Sequence, residues 1–166
     1  MNVPPTHLSL PLASPDETAR FGRDLARHLM PGDVVLLHGE IGTGKSHLAR
    51  AIITYRLAEV GMLEDVPSPT FTLVQSYQAG EVEIWHADLY RLSAPDEIIE
   101  LGLTDAFETA ICLIEWPEQL GADRPEGALD LTLTVVPGQE EARLLTLEWG
   151  PRTPPHLAAY LDVLAQ

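Results

Sequence analysis

The chain is poor in several residue types, and each scarcity narrows what the protein can be. It has a single cysteine, Cys112, in 166 residues, so an internal disulfide is excluded, as expected of a protein from a reducing compartment. It has 10 Lys+Arg residues against 25 Asp+Glu residues, a formal net charge of −15, which argues against extensive direct binding to nucleic-acid phosphates. Only one of its basic residues, Lys45, is a lysine.

Long apolar runs are also missing. Runs such as V-V-L-L at residues 34–37 and I-C-L-I at residues 111–114 are only a few residues long, so no segment is predicted to span a bilayer. The N-terminal M-N-V-P-P-T-H lacks the basic and apolar regions of a signal peptide. With 45% hydrophobic and 21% charged residues, the composition is that of an ordinary globular domain. We therefore expect a cytoplasmic protein with a single domain over residues 1–166.

Apolar patterning predicts that strands alternate with helices. Helices are predicted at residues 14–28, 45–59, 95–101 and 155–164. Strands buried on both faces, as in a parallel sheet, are predicted at residues 34–37 and 111–114. Two antiparallel hairpins are predicted, at residues 71–77 with 81–85 and at residues 129–136 with 143–149. The predicted fold class is α/β, with a mixed sheet of parallel and antiparallel strands flanked by helices.

Residues 39–46 carry the strongest chemical signal. They read G-E-I-G-T-G-K-S and match G-x-x-x-x-G-K-[ST], the phosphate-binding Walker A loop. Glycines let the backbone N–H groups turn inward around an anion, and the following helix adds its dipole. Lys45 supplies a charge for the β- and γ-phosphates, and the Ser46 hydroxyl can bind Mg²⁺. Because a buried strand precedes the loop and a helix follows, a P-loop is favoured over a plain glycine turn.

Three further residues are candidates to complete this site. Glu115 ends the I-C-L-I-E strand, where a P-loop NTPase places its second magnesium carboxylate. Asp88, in D-L-Y-R, is a candidate to bind the metal through water or to orient the attacking water. Thr70, in V-P-S-P-T-F, is a candidate γ-phosphate sensor. The structural alternatives are a strand-end glutamate, a turn aspartate and a strand-start threonine.

Five ordered blocks of sequence resemble one known family. They are G-E-I-G-T-G-K-S, V-P-S-P-T-F-T-L-V, H-A-D-L-Y-R-L, P-D-E-I-I-E-L-G-L and I-C-L-I-E-W-P-E, between residues 39 and 118. In these blocks the chain is similar to the TsaE (YjeE) family, small P-loop NTPase-like ATPases of bacterial tRNA threonylcarbamoyladenosine synthesis. The resemblance implies Mg²⁺-dependent hydrolysis of ATP to ADP and phosphate, slow without the partners TsaB and TsaD. It implies that the tRNA is modified at adenosine 37. Because the chain has a net charge of −15, we expect it to meet tRNA only indirectly, as a monomer alone or as part of a hetero-complex.

The resemblance also assigns roles to individual residues. It implies that Asp88, Glu115 and Lys45 serve hydrolysis, and that Mg²⁺ is bound by Ser46, Glu115 and Asp88. It implies that the nucleotide is held by a longer set: Gly39, Glu40, Ile41, Gly42, Thr43, Gly44, Lys45, Ser46, His47 and Thr18. No arginine is clearly placed as an arginine finger; Arg91, in D-L-Y-R, is the best candidate in the chain, and a surface or partner-facing role is an equal alternative for it.

Two other functions stay open at this point. A small-molecule P-loop kinase would need an acceptor pocket and an arginine-bearing lid, whereas the long stretch between the helices has one arginine at its end. A nucleotide-dependent interaction switch would use hydrolysis only to reset binding. His86 is interpreted as a packing or second-layer residue, and Trp116 as a packing residue that could also line the site.

Overall fold

A computed structural model of the chain describes residues 6–67, 69, 73–92 and 96–166. The strands of this part of the chain are β1 His7–Leu12, β2 Val34–His38, β3 Val74–Ala79, β4 Val82–Asp88, β5 Ile111–Glu115, β6 Leu129–Val136 and β7 Gln139–Glu148. The helices are α1 Pro15–Ala26, α2 Lys45–Glu59, α3 Asp96–Glu100, α4 Leu103–Thr109 and α5 Pro155–Leu164, with a 3₁₀ segment over Pro117–Asp123. None of these helices combines the length and the apolar character that a membrane crossing requires.

The strands form one mixed sheet in the order β1-β7-β6-β2-β5-β4-β3. Its middle is parallel, since β2 pairs in parallel with both β5 and β6, and β4 pairs in parallel with β5. The flanks are antiparallel, since β7 pairs with β6 and β1 and β3 pairs with β4. The predicted α/β class with a mixed sheet is therefore confirmed, as are both predicted hairpins.

Helices cover both faces of the sheet, which explains why its central strands are apolar throughout. Val35 and Leu37 of β2 pack with α1, α2 and α5 in one core cluster. Val34 and Leu36 pack on the other face, in a cluster that includes residues of α3 and α4. Cys112 of β5 belongs to this second cluster, and burial raises the pKa of its thiol to about 12. It is a small, fully buried residue that packs as an apolar side chain.

The first helix begins as its sequence indicates. Ser14 caps α1, and its hydroxyl accepts a hydrogen bond from the Glu17 N–H at 3.3 Å. Glu17 in turn accepts a hydrogen bond from the Ala13 N–H at 3.0 Å, one residue before the position a capping box uses. The fixed end of α1 matters because this helix packs against α2, the helix that follows the glycine-rich loop.

Several elements differ from their predicted bounds. The sequence reading did not include β1, α4 or the 3₁₀ segment. β1 is an edge strand containing Pro11, a residue that weakens any strand prediction because it cannot donate to a ladder. β4 runs three residues beyond its predicted end at 85, which places Asp88 in the sheet rather than in a turn. The predicted strand start at 71 and helix start at 95 lie outside the described residues, as does Thr70.

Candidate functional site

The parallel strands end together at one edge of the sheet, and the predicted site residues follow those ends. Asp88 of β4 stands beside Glu115 of β5 in the register, and Glu115 in turn stands beside Leu37 of β2. The loop of residues 39–44 leaves β2 at this same edge. A cleft of about 420 Å³ lies there, as expected at the carboxyl edge of an open α/β sheet.

The loop's shape depends on glycine at two kinds of position. Gly44 has φ +106° and begins α2 without any side-chain cap, so the first N–H groups of that helix are left for another acceptor. At Gly39 a side chain would collide, because a Cβ would lie 2.6 Å from Thr43 Oγ1 and 2.7 Å from the Leu133 carbonyl oxygen. Thr43 Oγ1 donates to the Glu40 carbonyl at 2.9 Å, which closes the loop on itself.

Lys45 lies folded back into this loop. Its Nζ donates to the Gly39 carbonyl and, at 3.3 Å, to the Glu40 carbonyl, and it stands 3.9 Å from the centroid of the Trp116 ring. Burial lowers the pKa of Lys45, an effect opposed by the nearby carboxylates of Glu115 and Asp88. The ammonium is therefore held by neutral carbonyls and an aromatic face.

Ser46, Glu115 and His86 form a buried chain of hydrogen bonds. Ser46 Oγ lies 2.9 Å from both carboxylate oxygens of Glu115, and His86 Nε2 lies 2.7 Å from Glu115 Oε2. His86 is fully buried, and its Nδ1 has no hydrogen-bond partner in the described part of the chain. A proton on Nε2 fits this geometry, since that nitrogen faces a carboxylate. Glu115 is thus fixed from two sides.

Asp88 lies beside this chain and is only 8% exposed. Its Oδ1 accepts a hydrogen bond from the Tyr90 N–H at 3.0 Å. Burial raises the pKa of Asp88, and the neighbouring Glu115 adds to the shift, while the Tyr90 amide opposes it. A buried carboxylate with a raised pKa next to a cleft is a typical feature of functional sites.

Aromatic residues border the cleft. The rings of Tyr90 and Trp116 are 4.8 Å apart between centroids. Trp116 has φ +56°, a left-handed conformation that is rare for a bulky residue and marks local strain. Trp116 lines both the cleft and a second groove.

The structure gathers most of the predicted site residues. Those lining the cleft are Ile41, Gly42, Gly44, Lys45, Ser46, His47, Asp88, Glu115 and Arg91. The loop residues Gly39, Glu40 and Thr43 instead line the second groove beside Trp116. Thr18 does not join the residues lining the cleft: it is buried in α1, where its Oγ1 lies 3.4 Å from the Ser14 carbonyl. His47 Nε2 lies 2.9 Å from the Pro15 carbonyl, so this residue links the loop's helix to α1.

The sequence analysis did not identify three residues that line the cleft or contact its loop. Arg50 and Tyr90 line the cleft but belong to no part of the Walker A pattern, although D-L-Y-R contains the tyrosine. Arg143 of β7 donates to the Thr43 carbonyl at 2.8 Å and lies 100 residues from it in the chain, a separation that no local pattern could bridge. The contact of His86 with Glu115 was also not predicted; the only signal in the sequence was that His86 lies two residues before Asp88.

The donor set suits one class of metal ion. In the described residues no three His, Cys, Asp or Glu side chains gather into an all-protein metal site. The Ser46 hydroxyl with the Glu115 and Asp88 carboxylates is an all-oxygen set. Mg²⁺ is commonly held by one or two carboxylates together with substrate phosphates and water, so these residues fit Mg²⁺ in the presence of a phosphate ligand.

Comparison with known proteins identifies the family. The family described as "Threonylcarbamoyl adenosine biosynthesis protein TsaE" matches residues 12–155. Relatives named tRNA threonylcarbamoyladenosine biosynthesis protein TsaE include one from Rickettsia bellii, 37% identical over 83% of this chain and 94% of that protein. Another, from Bacillus subtilis, is 33% identical over 84% of each chain. A third, from Rickettsia conorii, is 45% identical, but the match spans only 64% of this chain and 59% of that protein.

A solved structure shows the same fold. The crystal structure of Bacillus subtilis YdiB superposes with a TM-score of 0.73 and 23% identity, covering 100% of both chains. The family match spans nearly the whole sheet, including the loop of residues 39–46 and the strand that ends at Glu115. The chain therefore belongs to the TsaE family of threonylcarbamoyl adenosine biosynthesis proteins.

Proposed function

We propose that this protein hydrolyses ATP with Mg²⁺ as part of the machinery that makes threonylcarbamoyladenosine at position 37 of tRNA. One observation carries the proposal: the strand ends bring Lys45, Ser46, Asp88 and Glu115 into a single cleft beside a glycine-rich loop. Each of these side chains suits a different need of phosphoryl transfer, and the reaction depends mainly on such positioning and charge neutralisation.

The roles follow from the contacts of the free chain. Lys45 would exchange the Gly39 and Glu40 carbonyls for the β- and γ-phosphates, and the uncapped start of α2 would add its N–H groups. Ser46 and Glu115, with Asp88 beside them, would hold Mg²⁺, which when bound neutralises charge on the phosphates. Asp88 would orient the attacking water, because its buried carboxylate faces the same cleft as Glu115.

The proposed partners come from the family. TsaE relatives are named as biosynthesis proteins of this tRNA modification, so we place the chain with TsaB and TsaD in the cytoplasm. A chain of net charge −15 would repel the tRNA backbone, which supports contact with tRNA through those partners rather than directly. Slow turnover alone and faster turnover in the complex are the expected behaviour.

Phosphate release from ATP by the purified chain, with Mg²⁺ and with or without TsaB and TsaD, tests the proposal. Wild type should release phosphate, and Glu115→Gln should not. The exposed Glu108 of α4 offers a matched control, since Glu108→Gln makes the same chemical change away from the cleft. Release that is absent in wild type, or unaffected by Glu115→Gln, would contradict the proposal.

The phosphate assay tests the kinase alternative, and an assay of tRNA modification by the complex tests the interaction switch. A phosphorylated small molecule in place of free phosphate would indicate a kinase. If tRNA modification by the complex persists with Glu115→Gln, nucleotide binding rather than hydrolysis is what matters, and the interaction switch is correct.

A further inference from the structure

The β6–β7 hairpin backs the glycine-rich loop from outside the cleft. Gly39 lies so close to β6 that a Cβ there would be 2.7 Å from the Leu133 carbonyl oxygen. On the neighbouring strand, Arg143 stands opposite Val135 of β6 and points its guanidinium at the loop. The residues lining the cleft include Gly42 and Gly44 but not Arg143, in the part of the chain that the structure describes. The arginine therefore supports the loop from behind.

The guanidinium is shared between two pairs of backbone carbonyls. Its Nε donates to the Thr43 carbonyl at 2.8 Å, and its Nη2 donates to the Gly42 carbonyl at 3.3 Å. Its Nη1 donates to the carbonyls of Glu140 and Ala142, both at 2.7 Å, which anchors the group to its own strand. One planar, permanently charged fork thus connects the sheet to the centre of the loop, a geometry that lysine cannot reproduce.

We propose that Arg143 is a positioning residue for nucleotide binding: it fixes the Gly42 and Thr43 carbonyls so that the Gly44 N–H faces the cleft. In a planar trans peptide the C=O of one residue and the N–H of the next point in opposite directions. Holding the Thr43 carbonyl on Arg143 therefore aims the Gly44 N–H away from β7, toward the side on which Gly44 lines the cleft.

Glycine makes this support necessary. Gly42 and Gly44 have φ +85° and +106°, and a glycine peptide is free to rotate into other conformations. A loop that must become ordered on binding reduces the favourable free energy of binding by the cost of ordering. A loop that is already fixed does not incur this cost. Arg143 supplies the fixation with charge-assisted hydrogen bonds, the stronger kind. The inference rests on the proposed nucleotide site but makes a separate claim about the free chain.

Two measurements on the full chain test it: the affinity for ADP, by titration calorimetry, and amide hydrogen exchange across residues 40–46 without nucleotide. We expect Arg143→Gln to weaken ADP binding about tenfold or more, since a lost hydrogen bond from a charged group is typically worth that factor. We also expect the loop amides of Arg143→Gln to exchange faster than those of wild type, while the amides of β6 and β2 keep their wild-type rates. Arg143→Lys should weaken ADP binding and speed loop exchange almost as much, because lysine keeps the charge but lacks the planar guanidinium that donates to two carbonyls at once.

Arg152→Gln is the matched control. Arg152 pairs with Glu126 at the surface, with 68% of its side chain exposed, so its removal should leave both measurements unchanged. Wild-type affinity in Arg143→Gln, or full affinity in Arg143→Lys, would overturn the inference; the second result would assign the effect to charge alone. If wild type binds no ADP, the proposed function fails, while the loop's exchange in Arg143→Lys still decides the claim about positioning.

Discussion

His86 offers the sharpest test of the hydrogen-bond chain, because truncating its side chain should lower the free energy of unfolding by more than the lost apolar burial alone would. In His86→Ala, the Glu115 carboxylate loses the donor that lies 2.7 Å from its Oε2. Glu115 is 2% exposed, so water cannot readily replace that donor. Removing one of the two donors of a buried carboxylate costs about 1–3 kcal/mol, and the cavity left by a fully buried ring adds about 2 kcal/mol.

The expected loss in the free energy of unfolding is therefore about 3–5 kcal/mol for His86→Ala. For a chain of this size, about 1 kcal/mol corresponds to roughly 2–4 °C in Tm. His86→Gln should recover most of the loss, because its side-chain amide can donate to Glu115 from a similar position. The measurement is urea unfolding followed by tryptophan fluorescence, with calorimetry for Tm.

His38 provides the comparison. It too pairs with a carboxylate, Asp130, at 2.6 Å, but its side chain is 30% exposed and Asp130 also accepts from Arg124. His38→Ala should therefore cost about 1 kcal/mol or less. The reasoning is refuted if His86→Ala and His38→Ala destabilise equally, or if His86→Gln is as unstable as His86→Ala.

Three further outcomes follow from the same contacts. Because burial raises the pKa of Asp88, the wild type loses stability as pH rises through that pKa. Asp88→Asn should therefore have the higher Tm at pH 7, and the difference should vanish at low pH. The same variant should release no phosphate. Burial also raises the pKa of Asp130, but its hydrogen bonds from His38 and Arg124 outweigh this and hold the pKa below its ordinary value of 3.8. Its stabilisation is thus present above about pH 4 and lost as pH falls further, and Asp130→Asn should flatten the acid limb of a Tm-versus-pH curve. Gly39→Ala should lower Tm by more than the control Gly61→Ala, since both have positive φ but only Gly39 would also collide, and it alone should abolish ADP binding in calorimetry.

The sequence was most informative where function and fold depend on adjacent residues. The run V-V-L-L followed by G-E-I-G-T-G-K-S places strand, loop and helix together, and the structure has β2, the loop and α2 at those residues. The strand that ends at Glu115 was predicted for the same reason. Local patterns suffice here because an apolar run with a following glycine-rich motif has few other structural solutions.

Contacts between distant segments could not be predicted in this way. Arg143 reaches the loop only because β7 is two strands from β2 in the sheet, with β6 between them. Strand order is set by packing of the whole sheet, so a partner across the sheet has no signature in the residues beside it.

The charge of the site differs in sign from the charge of the chain that carries it. Lys45, Arg50 and Arg91 line the cleft against two carboxylates, Asp88 and Glu115, whereas the chain as a whole has a net charge of −15. An acidic surface repels ATP and nucleic acid alike at distances up to about 8 Å, the Debye length at physiological salt. Under the proposed function, selection for ATP would therefore come from short-range contacts within the cleft, where the carbonyl-held lysine and the glycine-rich loop lie. An acidic ATPase subunit and indirect contact with tRNA are consistent parts of one proposal.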